Sequence, residues 1–192
     1  MDMSLFKLVA AQCIFPNNGY YVRPTTIERI EDRNGKVIYS ATPYTDQALN
    51  ATVSYEILKM MKLVISQGTG GSLRSGKYGP IPITAGKTGT TQNASDGWYM
   101  GVSKDLVSGT WVGGDDRAIH FRSWTAGQGS KTARPIWVKY MAKVYADPSL
   151  GYTRGPFPRP ERPLSIEINC DKYEQDSQRF ADFDYDAKKN DF

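Results

Sequence analysis

The chain has 192 residues and a mass of 21.4 kDa, with 24 basic and 20 acidic side chains and 40% apolar residues. That is room for one domain, or one domain and a tail, with enough apolar content for a core. Apolar runs of only a few residues exclude a bilayer-spanning helix, and no basic-plus-apolar leader opens the chain, so no secretory signal is expected. One histidine, His120, and two distant cysteines, Cys13 and Cys170, exclude most metal centres, because a zinc site needs four clustered ligands. The charge is uneven. Residues 1–150 carry 17 basic and 11 acidic groups, and residues 151–192 carry 7 and 9. A mildly positive body suits anionic partners, and equally serves solubility.

Taken in chain order, Ser4–Phe15 reads as a helix. Leu5, Leu8, Val9 and Gln12 or Cys13 recur at helical spacing, Ser4 can cap it, and Pro16 stops it. Cys13 is expected in the core. Asn17-Asn18-Gly19 makes the exit turn. Thr25–Glu31 and Lys36–Ser40 read as a hairpin joined through Asn34-Gly35. A second helix spans about Thr52–Gln67, with an apolar stripe of Ile57, Met60, Met61, Val64 and Ile65, and Gly68 suits its C-terminal end. Residues 68–82 are glycine-rich and predicted as loop.

Three strands follow: Ile83–Thr90, Gly97–Ser103 and Leu106–Val112. Trp98, Met100 and Val102 share one face of the second. The tight Lys104-Asp105 connection predicts that the last two are antiparallel neighbours. A final helix spans Thr132–Tyr145, with Pro135 in its first turn and an apolar face of Ile136, Trp137, Tyr140, Met141 and Val144. Beyond residue 148 come Pro156, Pro158, Pro160 and Pro163 and then charged sequence. This segment is either an unstructured tail or extended chain packed over the surface.

Several motifs imitate active-site loops. Gly71–Lys77 fits G-x-x-x-x-G-K, but Tyr78 follows where a small hydroxyl should stand, and the segment follows a helix where it should open one. Gly86-Lys87-Thr88 lacks the leading glycine, since Ile81 occupies that place. Ser4-Leu5-Phe6-Lys7 fits the nucleophile pattern S-x-x-K, yet Ser4 is better read as a helix cap. His120 reads as a surface loop residue, Asp115 and Asp116 as a solvated turn, and Trp98 and Trp111 as packing residues.

Lys87-Thr88-Gly89-Thr90 carries more. Gly86 and Gly89 leave a strand wall bare enough for a second backbone to approach, so an extended peptide could add as a strand. Thr88 and Thr90, two apart, put their hydroxyls on one face where they can grip one carboxylate. Alternation sends Lys87 to the opposite face. Its amine must therefore reach round on its stem, or the strand must twist or bulge.

The order helix, G-T-G loop, A-G-K-T-G-T-T strand, D-G-W-Y strand, V-S-G-T-W-V-G-G-D-D strand and A-R-P-I-W helix resembles the transpeptidase domain of class A penicillin-binding proteins. The resemblance begins with Ala10-Ala11-Gln12 and Pro16–Pro24 and runs collinearly over about residues 3–146. It implies an α/β (α+β) fold, an antiparallel sheet flanked by helices, as part of the fold shared with serine β-lactamases. It divides the chain into residues 1–148, the C-terminal portion of the transpeptidase domain, and residues 149–192, a Pro-rich and then charged tail.

It also implies function. The family cross-links peptidoglycan through a serine acyl-enzyme and binds β-lactams, using S-x-x-K, S-x-N and K-T-G in chain order. On this resemblance Lys87 is the K-T-G lysine, with a catalytic role in proton traffic and charge complementarity. Thr88, Gly89 and Thr90 bind the substrate carboxylate, and the Thr90 N–H serves the oxyanion hole. No cofactor or metal is implied. No asparagine in the chain has a serine two before it. The nucleophile and middle motif are therefore expected upstream, with a glycosyltransferase domain and membrane anchor, and the isolated chain is expected not to acylate. Implied partners are stem peptides and β-lactams, bound weakly or not at all by the isolated chain, and the rest of the parent chain, with no nucleic acid, and with membrane contact only through the upstream part. The implied location is the cell envelope, at the outer face of the cytoplasmic membrane. The rival readings are a non-catalytic module that binds peptidoglycan peptides, and part of a serine β-lactamase.

Overall fold

Ser4 opens the first helix as its sequence suggests. In the computed structural model, which describes residues 3–68, 84–164, 166–169 and 172–173, its Oγ accepts the Lys7 N–H at 3.3 Å. That bond caps α1 (Leu5–Gln12), so the S-x-x-K lookalike is a helix start. The helix stops at Gln12, three residues short of the predicted Phe15. Residues 13–19 are turns, in which Asn18 takes a left-handed φ of 54°. Cys13 is half-buried at the helix end, where burial pushes its thiol up from its ordinary value.

Four short strands make two ribbons. β1 (Tyr20–Val22) pairs antiparallel with β4 (Thr45–Gln47). β2 (Arg29–Glu31) pairs with β3 (Val37–Ser40) around Gly35, whose φ of 81° suits the turn. The predicted hairpin is thus present but shorter. The β1–β4 ribbon was not legible, because three-residue strands show no periodicity.

α2 (Ala51–Ser66) is capped by Asn50, whose Oδ1 accepts the Val53 N–H at 2.8 Å. Its buried residues are Ser54, Glu56 and Leu58, while Met60 of the predicted stripe is exposed and its other members are half-buried. The helix turns Leu58 and Met61 toward Ala85, Val102 and Phe157, and that contact selects the face. The glycine-rich loop, the Gly71–Lys77 lookalike and Thr69-Gly70 lie outside the described residues. No helix among the described residues is long and apolar enough to cross a membrane.

The main sheet is a meander of β5 (Ala85–Thr90), β6 (Asp96–Val102) and β7 (Val107–Gly113) in the order β5-β6-β7, all antiparallel. This agrees with the three predicted strands to within two residues at each described end. α3 (Trp124–Gly127) and α4 (Ala133–Ala146) complete the fold. α4 covers one face of the sheet. The other carries α1 against β7 and α2 against β5.

α4 buries Trp137, Val138, Met141, Val144 and Tyr145. The predicted face shifts by part of a turn, because Ile136 and Tyr140 are exposed. The sequence offers two overlapping stripes of helical period, and the sheet decides between them. Trp137 lies above Gly101 and donates its indole N–H to Ser108 Oγ at 2.7 Å. It meets Tyr99 edge-on, with ring centroids 5.0 Å apart.

Residues 151–164 run without regular structure over this body. Phe157, at 8% exposure, packs with Leu58, Ala85 and Val102. Thr153 donates its N–H to Asp105 Oδ2 at 2.8 Å, and Arg154 reaches the Tyr145 carbonyl at 2.6 Å.

Candidate functional site

β5 is an edge strand. β6 flanks one side, and among the described residues no strand flanks the other. Its register with β6 is unbroken, pairing Lys87 with Met100, Thr88 with Tyr99 and Thr90 with Gly97. Thr91 N–H donates to Asp96 O (3.1 Å) at the connection to β6, and Ser103 N–H donates to Leu106 O (2.8 Å) at the next. In an antiparallel ladder, hydrogen-bonded and non-bonded pairs alternate. Residues 85, 87 and 89 therefore bond to β6, while Gly86, Thr88 and Thr90 turn their backbone groups to the open edge.

Lys87 points by alternation to the face of Met100, away from the threonines. No bulge interrupts the strand, so its stem makes the turn. Its Nζ donates to the Thr88 carbonyl at 2.8 Å. The amine thus stands at the same open edge as the Thr88 and Thr90 backbone. Lys87 is exposed, and Thr88, Gly89 and Thr90 are half-buried.

Thr88 and Thr90 share the α4 face, as the spacing predicts. Thr90 Oγ1 accepts the Gly129 N–H at 3.1 Å. Because that bond uses a lone pair, the hydroxyl proton remains available for an anion. Gly129 was not singled out from the sequence. A Cβ there would lie 2.4 Å from both Gly89 O and Trp98 O, so only glycine lets this segment lie against the sheet. The G-x-G spacing of Gly127 and Gly129 ahead of the P-I-W helix was the available signal.

The reason given for Gly86 and Gly89 needs correction. Neither leaves a bare wall for a ligand. The Tyr99 hydroxyl fills the place of a Gly86 Cβ, 2.5 Å away, and Trp98 Cβ lies 3.1 Å from that of Gly89. The approachable surface is the strand's edge, and its faces are packed by the protein itself. Burial pushes the Tyr99 phenol well above its ordinary value, against the opposing charge of Arg134.

Asp96, also unmarked in the sequence, ties the β5–β6 connection. Its Oδ2 accepts from Thr91 Oγ1 at 2.8 Å and its Oδ1 from the Trp111 indole at 2.9 Å. Trp111 also lies 6.2 Å from Trp98, centroid to centroid, so it serves packing and anchoring together. Burial raises the Asp96 carboxyl, but hydrogen bonds from Thr91, Trp111 and Ser95 and the charge of Arg117 outweigh it and hold the group below 3.8. A carboxylate with a depressed folded value stabilises above its unfolded value, and loses that contribution as pH falls through the folded value. The Trp111 indole N–H resonance is expected to shift in acid with a midpoint below 3.8, and Asp96→Asn is expected to abolish the shift. A midpoint above 3.8 would contradict the network.

His120 and Arg122 are exposed in the loop before α3, and Asp115 and Asp116 are exposed too. Asp116 accepts the Ala118 N–H at 2.7 Å in a local turn. A cavity of about 600 Å³ opens beside Thr90, lined also by Gln92, Asn93, His120, Phe121, Arg122 and Trp124.

Residues 1–132 match the transpeptidase domain family of penicillin-binding proteins. Penicillin-binding protein 1A of Aquifex aeolicus (strain VF5) is 31% identical over 169 residues, covering 88% of this chain and 22% of that protein. Penicillin-binding protein 1A of Neisseria gonorrhoeae is 34% identical over 140 residues, covering 70% and 17%. The chain thus spans about a fifth of the length of these curated relatives. Among solved structures, penicillin-binding protein 1A from Haemophilus influenzae superposes with a TM-score of 0.67 at 24% identity, covering 86% of this chain and 28% of that one. At that identity the likeness shows a shared fold.

Proposed function

Since this chain belongs to the penicillin-binding protein transpeptidase family, we propose that it forms the substrate-carboxylate side of a peptidoglycan D,D-transpeptidase site. The observation that carries this reading is the open edge of β5, where the Lys87 amine and the outward backbone of Thr88 and Thr90 stand together. A stem peptide ending in D-Ala-D-Ala lies along that edge as an added strand. Its terminal carboxylate accepts from the Thr88 and Thr90 hydroxyls and faces the Lys87 charge. The carbonyl to be attacked lies at the Thr90 N–H, which stabilises the oxyanion as it develops. Gly89 passes the strand close under Trp98 and keeps the two threonines level.

The acylating serine and the S-x-N motif belong to the parent protein outside these 192 residues, as does a glycosyltransferase domain. In the parent, the serine oxygen bonds to the carbonyl carbon, the peptide bond to the last D-alanine breaks, and the departing amine takes a proton. A second stem peptide's amine then displaces the serine. Lys87 holds the carboxylate and favours proton transfer at the edge. β-Lactams enter by the same carboxylate contacts. The location is the cell envelope, at the outer face of the cytoplasmic membrane.

The test is binding of N-acetyl-D-Ala-D-Ala to this chain, followed by NMR at Thr88 and Thr90. Thr88→Val is expected to weaken binding roughly tenfold, the effect of one hydrogen bond to a charged group. Amidating the peptide's terminal carboxylate is expected to erase the difference between wild type and variant. Equal affinity of the acid and the amide for the wild type would defeat the reading.

A further inference from the structure

β5 does not end at Thr90 in open solvent; the strand delivers the edge into a second, polar recess. The cavity of about 600 Å³ is shared by Thr90, the Gln92-Asn93 turn and the loop His120–Trp124. Two observations mark it as a built feature. The two loops that form it are bonded together, since Phe121 N–H donates to Ala94 O at 3.4 Å, and within its own loop His120 Nδ1 lies 3.0 Å from Phe121 O. Their closeness is enforced at Gly127, where a Cβ would lie 2.4 Å from Ala94 Cβ and 3.0 Å from Phe121 Cβ. The turn is also strained. Asn93 and Ala94 both hold left-handed φ values, 58° and 54°, and the conformation is costly for a buried alanine and persists only where the surroundings impose it.

The chemistry of the lining is specific. Arg122 is exposed and makes no hydrogen bond or ion pair among the described residues. Beside it stand two amide side chains, Gln92 and Asn93, one imidazole, His120, and two aromatic rings, Phe121 and Trp124, both exposed. Among the described residues no acidic side chain lines the cavity. A guanidinium with amides and no carboxylate suits an anionic oxygen acid, above all a carboxylate in bidentate contact.

We propose that this cavity is a subsite for a second carboxylate, carried by the donor peptide inward from its C-terminus, with Arg122 as the residue that recognises it. The inference rests on reading β5 as the rail for the terminal carboxylate, because that reading sets the direction. The C-terminal end lies toward Lys87 and Thr88, and the attacked carbonyl lies at Thr90. The preceding residues must then continue past Thr90 toward Gln92 and the cavity. Extended chain advances about 3.3 Å per residue, so a side chain two to three residues before the C-terminus stands roughly 7–10 Å further on.

The test uses this chain with four tetrapeptides followed by NMR: acetyl-Glu-Lys-D-Ala-D-Ala, its Glu-to-Gln analogue, and both again with the terminal carboxylate amidated. Arg122→Gln is expected to weaken binding of the Glu peptide about fivefold, the upper range for an exposed ion pair, and to leave the Gln peptide unchanged. The unchanged dispersion of the Trp137 indole resonance reports an intact fold. Equal losses for the two peptides, or none, overturn the subsite. If terminal amidation alone abolishes binding while Arg122→Gln has no effect, the β5 reading stands and the subsite fails. If terminal amidation changes nothing while Arg122→Gln still discriminates Glu from Gln, the subsite stands and the β5 reading fails. If no peptide shifts Thr90 or Arg122 at millimolar concentration, both fail.

Discussion

Trp137→Ala is expected to destabilise the fold by about 3–5 kcal/mol, the usual cost of removing a large buried aromatic. Trp137 is fully buried, meets Tyr99 edge-on, and gives its indole N–H to Ser108. Truncation leaves a cavity between α4 and the sheet and removes the donor that Ser108 Oγ accepts from. The neighbouring residues cannot close the gap, because Gly101 lies flat beneath the ring. A Cβ there would come within 2.1 Å of Trp137 Cζ2. Urea denaturation followed by far-UV circular dichroism measures the loss. Trp137→Phe keeps most of the volume and loses the hydrogen bond, and about 1–2 kcal/mol is expected. A loss below about 1 kcal/mol for the alanine variant would mean that α4 is not the main cover of this face. The complementary change, Gly101→Ala, is expected to destabilise by overpacking the same contact, about 1–3 kcal/mol.

Gly129→Ala tests how that scaffold reaches the site. The added methyl meets two carbonyl oxygens of the sheet, Gly89 O and Trp98 O, each 2.4 Å away. These are backbone atoms within the β5–β6 ladder, so the segment at residues 128–132 must lift off. The Gly129 N–H then leaves Thr90 Oγ1, and the hydroxyl loses the bond that directs its proton outward. Affinity for N-acetyl-D-Ala-D-Ala is expected to fall at least tenfold, in line with losing a charge-assisted contact. Stability is expected to fall by about 1–3 kcal/mol, because Gly129 O also accepts the Arg134 N–H at 2.9 Å in the first turn of α4. Titration calorimetry on a variant shown by circular dichroism to be folded separates the two effects. Wild-type affinity in a folded Gly129→Ala protein would remove Gly129 from any part in orienting Thr90.

Much of the scaffold was legible beforehand, for identifiable reasons. The long helices and the three strands of the meander follow from hydrophobic period, and the pairing of the last two strands from the tight Lys104-Asp105 connection, which are local properties. The Ser4 cap and the Asn34-Gly35 turn follow from local stereochemistry and hydrogen bonding. The alternation of Lys87 against Thr88 and Thr90 follows from the pleat alone. What stayed hidden were features made by partners distant in sequence. The Gly129–Thr90 bond joins residues 39 apart, and the Trp111–Asp96 bond joins residues 15 apart. Phe157 lies in a Pro-rich segment whose composition left an unstructured tail and surface packing both open, and it fills a place against Leu58 and Val102.

The amino-acid order by itself determined that a K-T-G strand, two polar hydroxyls at spacing two and a glycine-rich approach would occur together, because backbone pleating and side-chain type are local. Only the tertiary structure decided which edge of that strand is open, which way the Lys87 amine turns, and which faces of α2 and α4 are buried. Those outcomes depend on what packs alongside. Tyr99 and Trp98 occupy the space the glycines provide, and Gly129 and Arg122 come to the strand end from loops folded back over it. No short window of sequence records such contacts, because their energy comes from groups that meet only when the chain is folded.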